Sequence, residues 1–423
     1  MPAAVDRGAL AALVREVAAL PAGERPWCAG VVVRAGQGDR TLVSEAFGWA
    51  VRYAAYDEVA DRGVELPLPG EVEPGRSDRA TGGPAAGGPG HDGPHANGPA
   101  DRSPVGGQSA RVPMRTDTVF DLASLTKLCT ALLVAGEVER GTLALDRQAA
   151  RYAPELTGAA AYGITVRQLL THTSGLRPEL PLYALPDGPP GAEHAGRWAA
   201  VAAERPLTEP GGAYRYSDLN LLLLGRILER VTGHGLDRLL RERITGPLGM
   251  DRTRFRPPAS WRPSIAATED QRAPWGKLDR GPVHGEVHDE NAYALGGVAG
   301  HAGLFAPAGD LEVLCRALLG GGSHRGTRIL AAESVDALLA PPGLGFAVDQ
   351  EWFMGELAGR GAAGHTGFTG TSLVLDRASG GYLVLLANTV HPRRRPADNR
   401  PRAAAASWLA RALGAAPPVP YSQ

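Results

Sequence analysis

Cysteine is scarce in this chain: Cys28, Cys129 and Cys315 stand far apart in apolar surroundings. With no partners at metal-ligand spacing, they exclude a disulfide framework and read as buried free thiols. Charge of one sign is missing too. The 45 acidic residues nearly cancel the 44 basic ones, so no overall field draws the chain to nucleic acid or to an anionic membrane. A small, neutral substrate is the expected partner, and oligomeric state is not legible. No apolar run approaches the ~18 residues of a membrane span. The stretch LNLLLLGRILERV is cut by charges. The opening MPAAVDRGALAALVREVAAL mixes acids and bases at helical spacing and lacks the basic start, apolar centre and cleavage site of a signal peptide. A cytoplasmic protein is expected.

Glycine and proline, by contrast, are plentiful, and many crowd into residues 67–110, which read as a disordered insertion with almost nothing to bury. His91 and His95 lie there without a rigid frame to make them metal ligands. Before the insertion, CAGVVVRAG and TLVSEAFGWAVRY predict a hairpin around the GQGD turn. After it, LTKLCTALLVAGEVERG predicts a helix stopping at Gly141, and a second long helix is expected from about Leu219 to Val231. TSLVLDRASGGYLVLLANTV predicts two further strands, and RAAAASWLARAL a closing helix. Strands at both ends with helices between them predict an α/β fold. In it the chain ends share one antiparallel sheet flanked by helices, and the middle forms an inserted, mostly helical lobe. The expected organisation is one catalytic domain over 8–415, with a sheet lobe (8–66 and 325–415) and a helical lobe (114–324). The Pro- and Gly-rich loop from Arg177 to Ala202 is expected to roof part of a cleft between them.

The chemistry begins at Asp121-Leu-Ala-Ser-Leu-Thr-Lys127. Ser124 and Lys127 are three apart at a helix start and so share a face. A serine hydroxyl needs a base within hydrogen-bond reach, and a desolvated lysine can serve. Backbone N–H groups at the helix N-terminus also favour an oxyanion. Alone, this spacing is weak, and a surface serine beside a solvated lysine is the more common reason for it. The weight comes from Tyr214-Arg-Tyr-Ser-Asp-Leu-Asn220, opening the second helix, and from His365-Thr-Gly-Phe-Thr-Gly370, leading into a strand. In these motifs the chain resembles the serine β-lactamase, penicillin-binding-protein and esterase superfamily, most closely its class C-like branch, with S-x-x-K, Y-x-N and K-T-G or H-T-G in order. ITVRQLLTHTSGL, ITGPLGMDRTRF and LGGVAGHAGLFAPAGDL strengthen the resemblance, which runs from about Cys28 to Val390 apart from the insertion.

The resemblance implies a β-lactamase/transpeptidase-like fold and no cofactor or metal. It makes Ser124 the acylated nucleophile, Lys127 its proton partner and Tyr216 a shared general base and acid, with a phenol shifted down by the Lys127 cation. The backbone N–H groups of Ser124 and Phe368 would form the oxyanion hole, contributing several kcal/mol each, with the Phe368 side chain secondary. Asp218, His365, Thr366 and Gly367 would face the substrate. Two of these depart from the β-lactamase pattern. Asp218 replaces an asparagine and either keeps Lys127 protonated or caps the second helix. His365 replaces a lysine, so the positive charge there is mostly absent at neutral pH. Both changes suit an ester or neutral amide better than a β-lactam. His172 reads as a residue tying loop backbone together. His288, Asp289 and His301 could converge at the cleft, for substrate positioning or loop structure, with a metal set as the alternative. Their stretch also resembles cell-wall amidases that cleave the bond between N-acetylmuramic acid and L-alanine. The expected function is a serine hydrolase cleaving a small ester or amide through an acyl-serine. A cytoplasmic muropeptide amidase, a β-lactamase and a penicillin-binding protein without turnover are the alternatives.

Overall fold

The computed structural model describes residues 5–71, 108–188 and 192–414. Seven strands form its main sheet: β1 (Gly30–Gln37), β2 (Arg40–Val51), β3 (Val112–Pro113), β4 (Ala347–Val348), β5 (Ala363–Thr366), β6 (Ser372–Asp376) and β7 (Gly381–Ala387). Their spatial order is β4-β5-β6-β7-β1-β2-β3, antiparallel throughout. The expected union of the two chain ends is the β1–β7 pair, in register from Val31 opposite Ala387 to Gln37 opposite Gly381.

The central strands are apolar on both faces because both faces are covered. Val31, Val33 and Ala35 of β1, with Leu383, Leu385 and Ala387 of β7, point into one core; Val32, Tyr382, Val384 and Leu386 point into the other. The period of two along a strand makes this division. Four helices either cover the sheet or carry site residues: α1 (Arg7–Ala19), α2 (Thr126–Glu139), α3 (Asp218–Thr232) and α4 (Arg400–Ala412). The smaller core holds Leu13 and Val17 of α1 against Ala405, Ala406 and Leu409 of α4. Helix α1 starts where Asp6 accepts hydrogen bonds from the N–H groups of Gly8 and Ala9. The larger core takes in α2 and α3, whose Leu221 to Leu224 and Ile227 are buried.

A second, three-stranded sheet pairs Val119–Asp121 with Leu304–Pro307, and Leu304–Pro307 with Arg254–Phe255. It delivers Asp121 just before the nucleophile turn and His301 just before the neighbouring strand. Segment 177–202 is less irregular than expected. A helix, Ala195–Ala203, takes up its last part and runs one residue beyond it, and residues 189–191 lie outside those described. The predicted disordered insertion lies, over 72–107, outside the described residues, and His91 and His95 with it. All three cysteines are buried and free. Among the described residues no helix is long and apolar enough to cross a membrane.

Candidate active site

Ser124 lies in a 3-10 turn, Ala123–Leu125, that leads directly into α2. The turn is pinned from behind. Ala123 adopts φ 46°, an unfavourable conformation for a residue with a Cβ, and its N–H donates to Asp121 Oδ1 at 2.8 Å. The other Asp121 oxygen accepts from His288 N at 2.6 Å. This buried carboxylate therefore joins the nucleophile turn to the His288 loop, and burial pushes its pKa up. Asp121 opens the motif that identified Ser124, yet nothing in the linear pattern assigns it this bridge.

One turn on, the fully buried Lys127 donates from Nζ to Ser124 Oγ at 2.7 Å and to the His301 carbonyl at 3.1 Å. The carbonyl can come that close because residue 300 is glycine: a Cβ there would lie 2.0 Å from Leu221 O. Asp218 Oδ1 sits 2.8 Å from Nζ as an ion pair, off hydrogen-bond alignment. Of the two readings for Asp218, the geometry matches the lysine partner. The residue before α3 is Ser217, and Asp218 opens the helix without capping it. Burial works against the Lys127 charge, but Asp218 and Tyr216 outweigh it and hold its pKa above the ordinary lysine value.

Tyr216 OH lies 3.0 Å from Ser124 Oγ, and the Lys127 ammonium lies 5.1 Å from the centre of its ring. The expected downward shift of this phenol is corrected. Burial raises its pKa, Lys127 pulls the other way, and Asp218 adds to the rise, so the net direction is up. His172 stacks on Tyr216 with ring centres 4.9 Å apart. Its Nδ1 accepts from Ser217 N at 3.1 Å and faces Asn220 Nδ2 at 2.9 Å, the loop-tying arrangement expected of it. Burial, helped by Lys127, lowers the His172 pKa to about 3.

The third motif closes the site from β5. Thr369 and Thr371 donate from their hydroxyls to the carbonyls of Asp121 and Leu122, at 2.8 and 3.0 Å. Gly367 permits this closeness, since a Cβ would meet Leu122 O at 2.4 Å. The loop that presents the Phe368 N–H is thus tied to the turn that presents Ser124. Among the described residues no acceptor takes the Phe368 N–H. His365 has its pKa lowered to about 4 by burial and by Lys127, so its ring is neutral at pH 7. Its Nδ1 lies 2.7 Å from the Thr366 carbonyl oxygen.

The Phe368 side chain, read as secondary from the motif alone, is half exposed yet lies against two neighbours. Its ring stacks on His288 at 5.6 Å, and the Arg394 guanidinium lies 5.7 Å from its centre. Both neighbours are fixed by Glu269, which takes His288 Nε2 at 2.8 Å and Arg394 Nη2 at 2.6 Å. Burial works to raise the Glu269 pKa, but His288 and Arg394 hold it at about 2. Glu269 and Arg394 carry no linear signal.

His288, Asp289 and His301 therefore separate. His288 turns to Glu269, while His301 Nε2 meets Asp289 Oδ1 at 3.0 Å. Asp218, Asp289 and His301 bring possible ligand atoms within 4.8 Å of one another. The ammonium of Lys127, against Asp218 and the His301 carbonyl, already places a cation beside this group. Ser124, Tyr216, Asp218, His365, Thr366, Gly367 and Phe368 all line one cavity of about 1160 Å³.

The Beta-lactamase family model matches residues 12–407. A putative D-alanyl-D-alanine carboxypeptidase of Escherichia coli K12 is 34% identical over 313 residues, 66% of this chain and 71% of that protein. An N-acetylmuramyl-L-alanine amidase of Bacillus subtilis is 31% identical over 323 residues, 68% of this chain and 72% of that one. A penicillin-binding protein homologue from Caulobacter crescentus shares the fold, with a TM-score of 0.64 at 22% identity, covering 97% of this chain and 99% of its own. The chain belongs to the Beta-lactamase family and is one of its serine hydrolases.

Proposed function

We propose that this enzyme cleaves an amide or ester through an acyl-Ser124 intermediate. The observation that carries the reading is the placement of Lys127 Nζ and Tyr216 OH within 2.7 and 3.0 Å of one serine oxygen. At rest Lys127 is charged and Tyr216 neutral, so neither is a base. The reactive form has lost one proton from the Lys127–Tyr216 pair, and that loss belongs to the pair and not to either residue. Ser124 Oγ then bonds to the substrate carbonyl carbon while its proton passes to the pair, and the N–H groups of Ser124 and Phe368 receive the oxyanion. Collapse breaks the bond to the leaving amine or alcohol, which takes the proton. Water repeats the sequence on the acyl-enzyme, releasing the acid and restoring the serine.

The neutral His365 ring supports an ester or amide over a β-lactam, whose carboxylate would find no cation there. A second reading, cleavage of the N-acetylmuramyl-L-alanine amide, is supported by the cavity volume, well beyond the needs of a short ester, and by the similarity to the amidase. Stopped-flow kinetics with a chromogenic ester, beside a chromogenic cephalosporin and a muramyl peptide, test both. A burst equal to the enzyme concentration is expected with the ester and must vanish in Ser124→Ala. Turnover of the muramyl peptide alone would select the second reading, and turnover of none would overturn both.

A further inference from the structure

Six carboxylates line the cavity that holds Ser124. Each already has a partner. Asp218 faces Lys127, Asp289 faces His301, Glu290 faces Arg394 and Glu179 faces Lys277. Asp398 pairs with Arg400 at 2.8 Å, and Asp349 accepts from the N–H groups of Arg360, Gly361 and Ala362. The cations lining the same cavity do not balance in this way. Lys277 and Arg394 are taken by these carboxylates, and Arg402 donates to the Gly367 carbonyl at 3.0 Å. Arg25 and Arg395 are left. Among the described residues neither has an ion pair or a side-chain hydrogen bond, and both are exposed at the cavity rim. Asp61 feels the charge of both, but it also feels Arg393 and is hydrogen-bonded to Tyr56.

We propose that Arg25 and Arg395 form a carboxylate-binding subsite, so that the preferred substrate carries a carboxylate remote from its scissile carbonyl. Resting on the acyl-Ser124 reading, this narrows the substrate class of that same cavity. The basic groups nearer the chemistry cannot fill this role, because Lys127 is sealed in its ion pair and His365 is neutral. Guanidinium pairs suit a carboxylate because their forked N–H groups match its two oxygens. Arg25 follows α1 and Arg395 follows β7, so both chain ends contribute to the lining of the cavity that holds Ser124.

The test compares chromogenic half-esters of dicarboxylic acids, over increasing chain lengths, with neutral esters of matching length. For the best length the wild type should favour the carboxylated ester by about tenfold in kcat/KM. In the Arg25→Gln/Arg395→Gln double variant the ratio should fall to about one, and added salt should lower it in the wild type. Calorimetry reads the subsite without turnover: free dicarboxylates should bind Ser124→Ala, and about tenfold more weakly once both arginines are replaced. A preference or an affinity that the double variant leaves unaltered, or that the wild type lacks, overturns the proposal. Failure of the acyl-Ser124 reading would show instead as a missing burst with the neutral ester, while calorimetry would still decide the subsite.

Discussion

The two walls of the cavity are built by different means. On the nucleophile wall, Lys127, Ser124, Tyr216 and Asp218 touch one another directly, at 2.7 to 3.0 Å, and come from the starts of two helices. On the opposite wall the reacting group would be a backbone N–H, and side chains act on it at one remove: His288 and Arg394 hold the Phe368 ring, and Glu269 holds them. Proton transfer needs contact, whereas an oxyanion donor needs only a loop that does not move. Substitutions on the first wall should therefore alter chemistry outright, and those on the second should act through geometry.

The largest effect is expected from Ser124→Ala, which should lower kcat for ester hydrolysis by roughly 10⁴-fold or more; a variant retaining a tenth of the wild-type rate would end the covalent account. Lys127→Ala should reduce the acylation rate by roughly 10²- to 10⁴-fold while ground-state binding stays within a few-fold. Single-turnover kinetics separate the two, and an unchanged rate would remove lysine from proton transfer. On the other wall, Phe368→Ala should lower kcat by about tenfold with little change in KM, less than the roughly 10²-fold of deleting an oxyanion donor. Phe368→Tyr, which keeps the ring between His288 and Arg394, should restore most of the rate, and equal loss in both variants would show that the ring holds nothing.

Asp218→Asn sharpens the contrast by pH and not by rate. The pKa values of Lys127 and Tyr216 are both raised, so the reactive pair, short of one proton, grows as pH increases. In the wild type kcat/KM should rise with pH from neutral into the basic range. Removing the Asp218 charge makes that proton easier to lose and should move the rising limb down by roughly 1–3 pH units. An unmoved limb would contradict the role of Asp218 in holding the proton.

The same contrast separates what the sequence reveals from what it hides. Ser124 and Lys127 lie within one helical turn, and Tyr216 and Asp218 open another, so short-range spacing suffices for the nucleophile wall. The two-faced sheet is legible for a similar reason, since runs such as GVVVRAG and GYLVLLA are apolar almost throughout instead of alternating, as a strand covered on both sides is. The second wall is not. Glu269, His288, Phe368 and Arg394 come from distant segments; His288 and Phe368 stand out in theirs, but Glu269 and Arg394, which join them, do not. The net direction of the Tyr216 shift escapes the sequence because it depends on burial, which spacing does not report. That Arg25 and Arg395 line one cavity is likewise hidden, because they lie at opposite ends of the chain.

The central claim, a covalent acyl-Ser124 intermediate, is tested most directly by acid-quenching the enzyme during ester turnover and mapping the adduct by mass spectrometry. One acyl group per active site is expected, on the peptide containing Ser124 and absent from Ser124→Ala. Turnover with no adduct, or with the acyl group on another residue, would contradict it.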